Sequence, residues 1–257
     1  MAADPITRIS LDEALDQTRT GDLWVFRGRT VADRAIQLTT NSPVNHVGMC
    51  LALEDLPPLM WHAELGRSLP DLWAGGHHRG VQLHDLRAAV LQWAHRYGQR
   101  AWLRQLDRPL STPMEDAALR TVARLDGTPF PSTARLAARW FGGRIPAWHA
   151  RRREHVRRDA DPGMPELAGG PVRDQGGAAS GRPALESAYC AEVVAITYQA
   201  MGLLPPGRRP NWYDPGRFWS GDELELAPGY RLGAEIAVEL PPAPAAHEGT
   251  CSADLNR

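Results

Sequence analysis

The chain of 257 residues has no lysine: all 29 of its basic residues are arginine. That absence excludes Schiff-base chemistry and a phosphate-binding loop built on lysine. Cysteine is scarce as well, with Cys50, Cys190 and Cys251 the only three. An odd, sparse set is not a disulfide framework, and no pair has the C-x-x-C spacing of a thiolate zinc site. No apolar run reaches the roughly 20 residues that cross a bilayer. The first residues, Met1-Ala2-Ala3-Asp4-Pro5, lack the basic and apolar regions of a signal peptide, so the expected location is the cytoplasm. An excess of charge of one sign is missing too: 29 basic and 30 acidic residues leave a net charge of -1. The global charge therefore implies no nucleic-acid partner.

What is present suits a globular protein, with 43% hydrophobic residues to build a core. Residues 8–19 read as a short amphipathic helix capped by Ser10. Leu23 to Phe26 reads as a buried strand, and residues 30–38 carry helix-type spacing. His46 to Leu53 reads as an apolar strand entered through His46. After the Pro57-Pro58 turn, Leu59 to Leu65 reads as its antiparallel partner. Alternation on that partner puts Met60, His62 and Glu64 on one face and Trp61 and Ala63 on the other. Residues 80–86 and 100–106 read as further strands, and 114–125 as an amphipathic helix closed by Gly127 and Pro129. Residues 132–158 include a helix ending in a basic run. Residues 159–184, rich in Gly, Pro, Ala and Asp, read as a mobile insertion within a single domain spanning 1–240. A strong helix begins at Tyr189 and ends at Gly202, and 241–257 reads as a disordered tail.

Cys190 carries the clearest chemical signal, because it stands at the expected start of that helix. Free N–H groups and the macrodipole at a helix N-terminus stabilise a thiolate and can bind an oxyanion. A thiolate enzyme also needs a base, and His46 at the mouth of a core strand is the candidate. A third polar group then fixes the imidazole. Taken singly, Cys190 also fits a small buried hydrophobe, and His46 a turn residue. Cys50, inside a core strand, reads as buried and inert. His77, His78, His84 and Asp85 match no standard metal spacing and read as surface residues. The Trp- and Arg-bearing segment 140–158 reads as a solvated helix with a basic end, the alternative being a weak contact with a membrane surface.

Four segments resemble the circularly permuted NlpC-type papain-like superfamily, especially its YiiX-like branch. They are Gly21-Asp22-Leu23-Trp24-Val25-Phe26-Arg27-Gly28, Ser42-Pro43-Val44-Asn45-His46-Val47-Gly48-Met49, Gly80-Val81-Gln82-Leu83, and Tyr189-Cys190-Ala191-Glu192-Val193-Val194. Gly202-Leu203-Leu204 and Tyr213-Asp214-Pro215 continue the last. The order, with His before Cys, is that of the permuted branch. Ala191 stands where relatives often have Ser. The acidic position that relatives often carry on the following strand is taken by His62, with Glu64 two residues on.

The resemblance implies an α+β, papain-like fold, with a small antiparallel sheet of about four to six strands and a catalytic helix packed on it. It implies a cysteine-dependent hydrolase or acyltransferase acting on an amide or ester of a small peptide or lipid-like substrate through a thioester. Cys190 would be the nucleophile, His46 the base, and His62 or Glu64 the orienting residue. No metal or other cofactor is expected. The alternative is a non-catalytic module that holds a lipid or acyl group on the same fold.

Overall fold

The computed structural model describes residues 7–28, 43–64, 66–129, 182–221 and 224–243. The expected helix at 30–38, the segment 140–158, Cys251 and most of the insertion and tail lie outside the described residues.

The strands are β1 (Arg8–Ser10), β2 (Leu23–Arg27), β3 (His46–Leu51), β4 (Leu59–Glu64), β5 (Gly80–Asp85), β6 (Arg100–Arg104) and β7 (Ile236–Glu239). They form a 7-stranded sheet in the order β1-β7-β6-β2-β3-β4-β5. Every pairing is antiparallel except that of β1 with β7. The α+β class is as expected; the sheet is wider than expected because β1 and β7 add an edge. The helices are α1 (Leu11–Gln17), α2 (Leu86–Tyr97), α3 (Thr112–Leu125) and α4 (Arg182–Ala200).

Local chemistry sets these boundaries. The Ser10 hydroxyl accepts from the Glu13 N–H at 3.1 Å and starts α1, so residues 8–10 are free to pair as a strand. Asp85 ends β5 and caps α2 by accepting from the Ala88 N–H at 2.7 Å. Gly98, at φ 62, stops α2 in the left-handed conformation that favours glycine. Helix α2 was not anticipated: its apolar residues Leu86, Ala89, Val90 and Trp93 lie between two segments that read as strands.

Each face of the sheet buries its own cluster. Val47, Met49 and Leu51 of β3 and Leu59, Trp61 and Ala63 of β4 share one cluster with α4. Trp24, Phe26, Cys50 and Met60 share the other with α1 and α2. A hydrogen bond from Trp61 Nε1 to Thr197 Oγ1, 3.0 Å, ties β4 to α4 across the first. The Gly21-Asp22 motif is a structural clamp. Buried Asp22 accepts from the N–H groups of Leu106 and Arg19, and the Tyr198 hydroxyl donates to the Gly21 carbonyl at 2.5 Å.

Candidate functional site

Strand parity assembles a line of imidazoles. His46, His62 and His84 sit on β3, β4 and β5 at the positions whose side chains leave the sheet toward α2. His46 Nε2 lies 2.9 Å from His62 Nδ1, and His62 Nε2 lies 3.0 Å from His84 Nδ1. His84 Nε2 then meets Gln82 Oε1 at 3.1 Å. None of the three imidazoles is more than 1% exposed. Trp93 of α2 stacks on His46 with ring centres 3.8 Å apart. Gly48 makes room beside the line, since a Cβ there would fall 2.9 Å from Met60 Cγ.

Glu64 comes to the middle of this line. Its Oε2 is 3.9 Å from His62 Nε2 and 3.8 Å from His84 Nδ1. Its Oε1 accepts from the Tyr97 hydroxyl at 3.3 Å. Gly66 passes so close that a Cβ would sit 2.2 Å from Oε1. The sequence left His62 and Glu64 as equal partners for His46; the structure joins His62 to His46 and sets Glu64 against the His62–His84 contact.

Burial is the main influence on the charges. It lowers His46 to about 3 and His84 to about 4, and holds His62 well below its ordinary value. Neighbouring imidazoles push His46 and His62 further down. The rings are therefore neutral near pH 7, the form in which imidazole ligates metal. Burial also raises the Glu64 carboxyl, against the Tyr97 hydrogen bond. Imidazole nitrogens and a carboxyl oxygen are the donor types that bind divalent metal ions.

Cys190 sits on α4, in the other cluster. Helix α4 begins at Arg182, about two turns before Cys190, so the thiol is not at a helix N-terminus. The earlier start has a local cause: Arg182-Pro183-Ala184-Leu185-Glu186 places proline in the first turn, followed by strong helix formers. Cys190 is buried in the cluster that holds Val47, Met49, Trp61 and Ala63. His46 has the opposite parity and stacks on Trp93, so ring and thiol belong to opposite faces of the sheet. His46 Nε2 is engaged by His62, and His46 Nδ1 has no hydrogen-bond partner among the described residues. The described residues bring His46 to His62 and place Cys190 among the apolar residues of the α4 cluster.

The histidines read as surface residues also need correction. His84 is 1% exposed and completes the chain, and His78 lies 2.6 Å from Oδ2 of buried Asp71. His77 is exposed. His84, Gln82 and Trp93 are the site residues that sequence reasoning missed. The available signal was register: pairing β4 with β5 sets His84 opposite Met60, on the face already assigned to His62. Two groups among the described residues bring three potential metal-ligand atoms within 4.8 Å of one another: His62, Glu64 and His84, all buried, and Asp71, His78 and Asp126. Burial and the neighbouring Asp71 raise Asp126 to about 7.

No family model and no curated protein matches the chain. Among solved structures it is similar to the metalloprotein YiiX of Escherichia coli O157:H7, at 24% identity and a TM-score of 0.32. That match covers 46% of this chain, which spans about half, 55%, of the YiiX chain.

Proposed function

We propose that the protein holds a divalent ion of the Zn²⁺ class at His62, Glu64 and His84 and uses it for metal-assisted hydrolysis of an amide or ester. One observation carries this reading. The donor atoms His62 Nε2, His84 Nδ1 and Glu64 Oε2 form a triangle with sides of 3.0, 3.8 and 3.9 Å. The centre of such a triangle lies about 2.1 Å from each corner, the distance at which Zn²⁺ binds imidazole nitrogen and carboxylate oxygen. Two neutral imidazoles and one carboxylate also match the ligand types of hydrolytic zinc centres. With all three residues buried, substrate reaches such an ion only when the covering residues open. The substrate class, a small peptide or lipid-like amide or ester, comes from the motif resemblance.

Calorimetric titration of chelator-treated protein with Zn²⁺ tests this. Binding should disappear in His62→Ala and His84→Ala and weaken in Glu64→Gln, while Asp71→Asn leaves it intact. Binding that survives His84→Ala, or requires Asp71, moves the ion to the other cluster and ends this reading.

A second reading, the thiol hydrolase or acyltransferase with Cys190 as nucleophile and His46 as base, is favoured by one atom. His46 Nδ1 is buried without a hydrogen-bond partner among the described residues, at the end of a chain that orients the ring as a third catalytic residue does. It requires Cys190 to reach that nitrogen. Turnover of a model ester lost in Cys190→Ala but indifferent to chelator would favour it. No turnover in the wild-type protein, with or without Zn²⁺, would leave the non-catalytic acyl-binding module.

A further inference from the structure

The histidine chain has a direction, and the direction is set by Gln82. The Gln82 side-chain nitrogen lies 3.4 Å from the backbone carbonyl of Glu64. A carbonyl only accepts, so the amide NH₂ occupies that end and Oε1 faces His84. Oε1 likewise only accepts, so His84 Nε2 carries the proton in the 3.1 Å contact. A neutral His84 then has a bare Nδ1. The 3.0 Å contact to His62 is satisfied only if His62 Nε2 donates, and the 2.9 Å contact to His46 only if His46 Nε2 donates. Without metal, all three rings carry their protons on Nε2, and the last lone pair is at His46 Nδ1, the atom with no partner among the described residues.

We infer that Gln82 is the positioning residue of the site, holding His84 Nδ1 open as a ligand, and that a metal bound there reverses the chain between His62 and His46. This rests on the metal reading above. An ion at the centre takes the lone pairs of His62 Nε2 and His84 Nδ1. His84 is unchanged, still donating from Nε2 to Gln82. Neutral His62 must move its proton to Nδ1 and donate to His46 Nε2, so His46 carries its proton on Nδ1. No proton enters or leaves the chain of rings. The consequence is functional: the lone pair a general base would use at His46 exists only in the metal-free protein. Metal chemistry at His62 and base chemistry at His46 exclude each other, and an ion at the centre switches the second off.

Ring nitrogens report tautomers directly in two-bond ¹H–¹⁵N NMR spectra of histidine-labelled protein, recorded at pH 7 with chelator and with saturating Zn²⁺. With chelator, His46, His62 and His84 should all show Nε2–H. With Zn²⁺, His46 and His62 should show Nδ1–H while His84 keeps Nε2–H. Gln82→Met should populate Nδ1–H on His84 and weaken Zn²⁺ about tenfold or more, as loss of a ligand's outer hydrogen bond does. Gln82→Glu, which still accepts from His84, should restore the tautomer.

Calorimetric binding with an unchanged His46 tautomer overturns the reversal and leaves the metal reading standing. Failure of Zn²⁺ to bind ends both. In that case the chelator spectrum still decides the role of Gln82, which is refuted by Nδ1–H on His84 in the wild-type protein. That readout does not depend on any variant folding.

Discussion

Strands β3 and β4 carry two chemistries on one backbone. Toward α4 they present Val47, Met49, Trp61 and Ala63, with one polar contact, Trp61 to Thr197. Toward α2 they present His46, Gly48 and His62, where one ring nitrogen after another is engaged by the next residue along. Both faces are equally dry, so they differ in what water exclusion demands of them. The apolar face is held by area and packing. The imidazole face is tolerable only because its polar atoms pair with one another, since a buried polar group without a partner is costly. A one-residue slip of either strand would exchange the faces, so the register is fixed twice, by apolar burial on one side and by the imidazole chain on the other.

The largest effect expected from this comparison is on the apolar side. Trp61→Ala removes one of the largest fully buried side chains and should cost about 3–5 kcal/mol. On the opposite face, His62→Leu keeps the volume but strands His46 and His84, and should cost roughly 1–3 kcal/mol. Urea unfolding of both variants, with chelator present, gives the two numbers. If His62→Leu is the worse of the two, the imidazole face dominates the register and the ranking above is wrong.

The next effect belongs to the imidazole face alone. Zn²⁺ at a hundredfold excess over its dissociation constant should add about 2.7 kcal/mol to unfolding stability. Trp61→Phe should keep this increment, though its baseline falls. His84→Ala should lose the increment, though its baseline falls less than that of Trp61→Ala. An increment that follows the apolar-face variant would mean that the ion acts through general packing and has no defined centre.

Parity explains how much was legible beforehand. The alternation Met60, His62, Glu64 against Trp61, Ala63 placed β4 correctly, and the hairpin logic that paired it with β3 held. The boundaries of β2, β3 and β5 followed from apolar runs and turn residues to within about two residues. Alternation within a single strand does not say which helix covers which face. That depended on α2, whose Leu86, Ala89, Val90 and Trp93 lie between strand-like segments and supply the lid over His46. The start of α4 was misplaced for a related reason: Tyr189-Cys190-Ala191-Glu192 looks like a helix start when the preceding residues are read only as Gly- and Pro-rich. His84 was passed over because metal spacing was sought along the chain, whereas its partners His62 and Glu64 come from the neighbouring strand.

Acid separates the faces more gently. His46 is lowered to about 3 and His84 to about 4, from ordinary values of 6.5. The unfolded chain therefore binds more protons than the folded one between about pH 6.5 and those values. Stability from these rings is fully present above 6.5 and is lost as pH falls toward 3–4, at up to about 1.4 kcal/mol per pH unit for each ring. Asp22 works the other way. Burial raises it from 3.8 to about 6, so its contribution is lost as pH rises through that window. Replacing His46 with Phe in the chelated protein isolates the histidine part: its stability between pH 4 and 6.5 should rise less steeply than that of the wild type. An unchanged slope would mean that His46 is reached by water and titrates normally.

The smallest effect compares the two buried thiols, one on each face. Cys50 lies on the imidazole side, where burial pushes it up to about 12, and Cys190 lies on the α4 side. Both are 0% exposed. In a Cys251→Ser background, iodoacetamide at pH 7 should label neither at the rate seen in denatured protein, because alkylation needs both access and a thiolate. Zn²⁺ ties β4 to β5 beside Cys50 but makes no bond to α4. Saturating Zn²⁺ should therefore slow Cys50 by a few-fold more than Cys190 wherever local opening, and not global unfolding, limits the reaction. Equal slowing of both thiols would mean that opening is global and the faces are one cooperative unit. Rapid native labelling of Cys190 would be the sharper result. It would show that the α4 face admits reagent to a reactive thiol, and the balance would move to the thiol enzyme, with His46 Nδ1 as the base that thiol must reach.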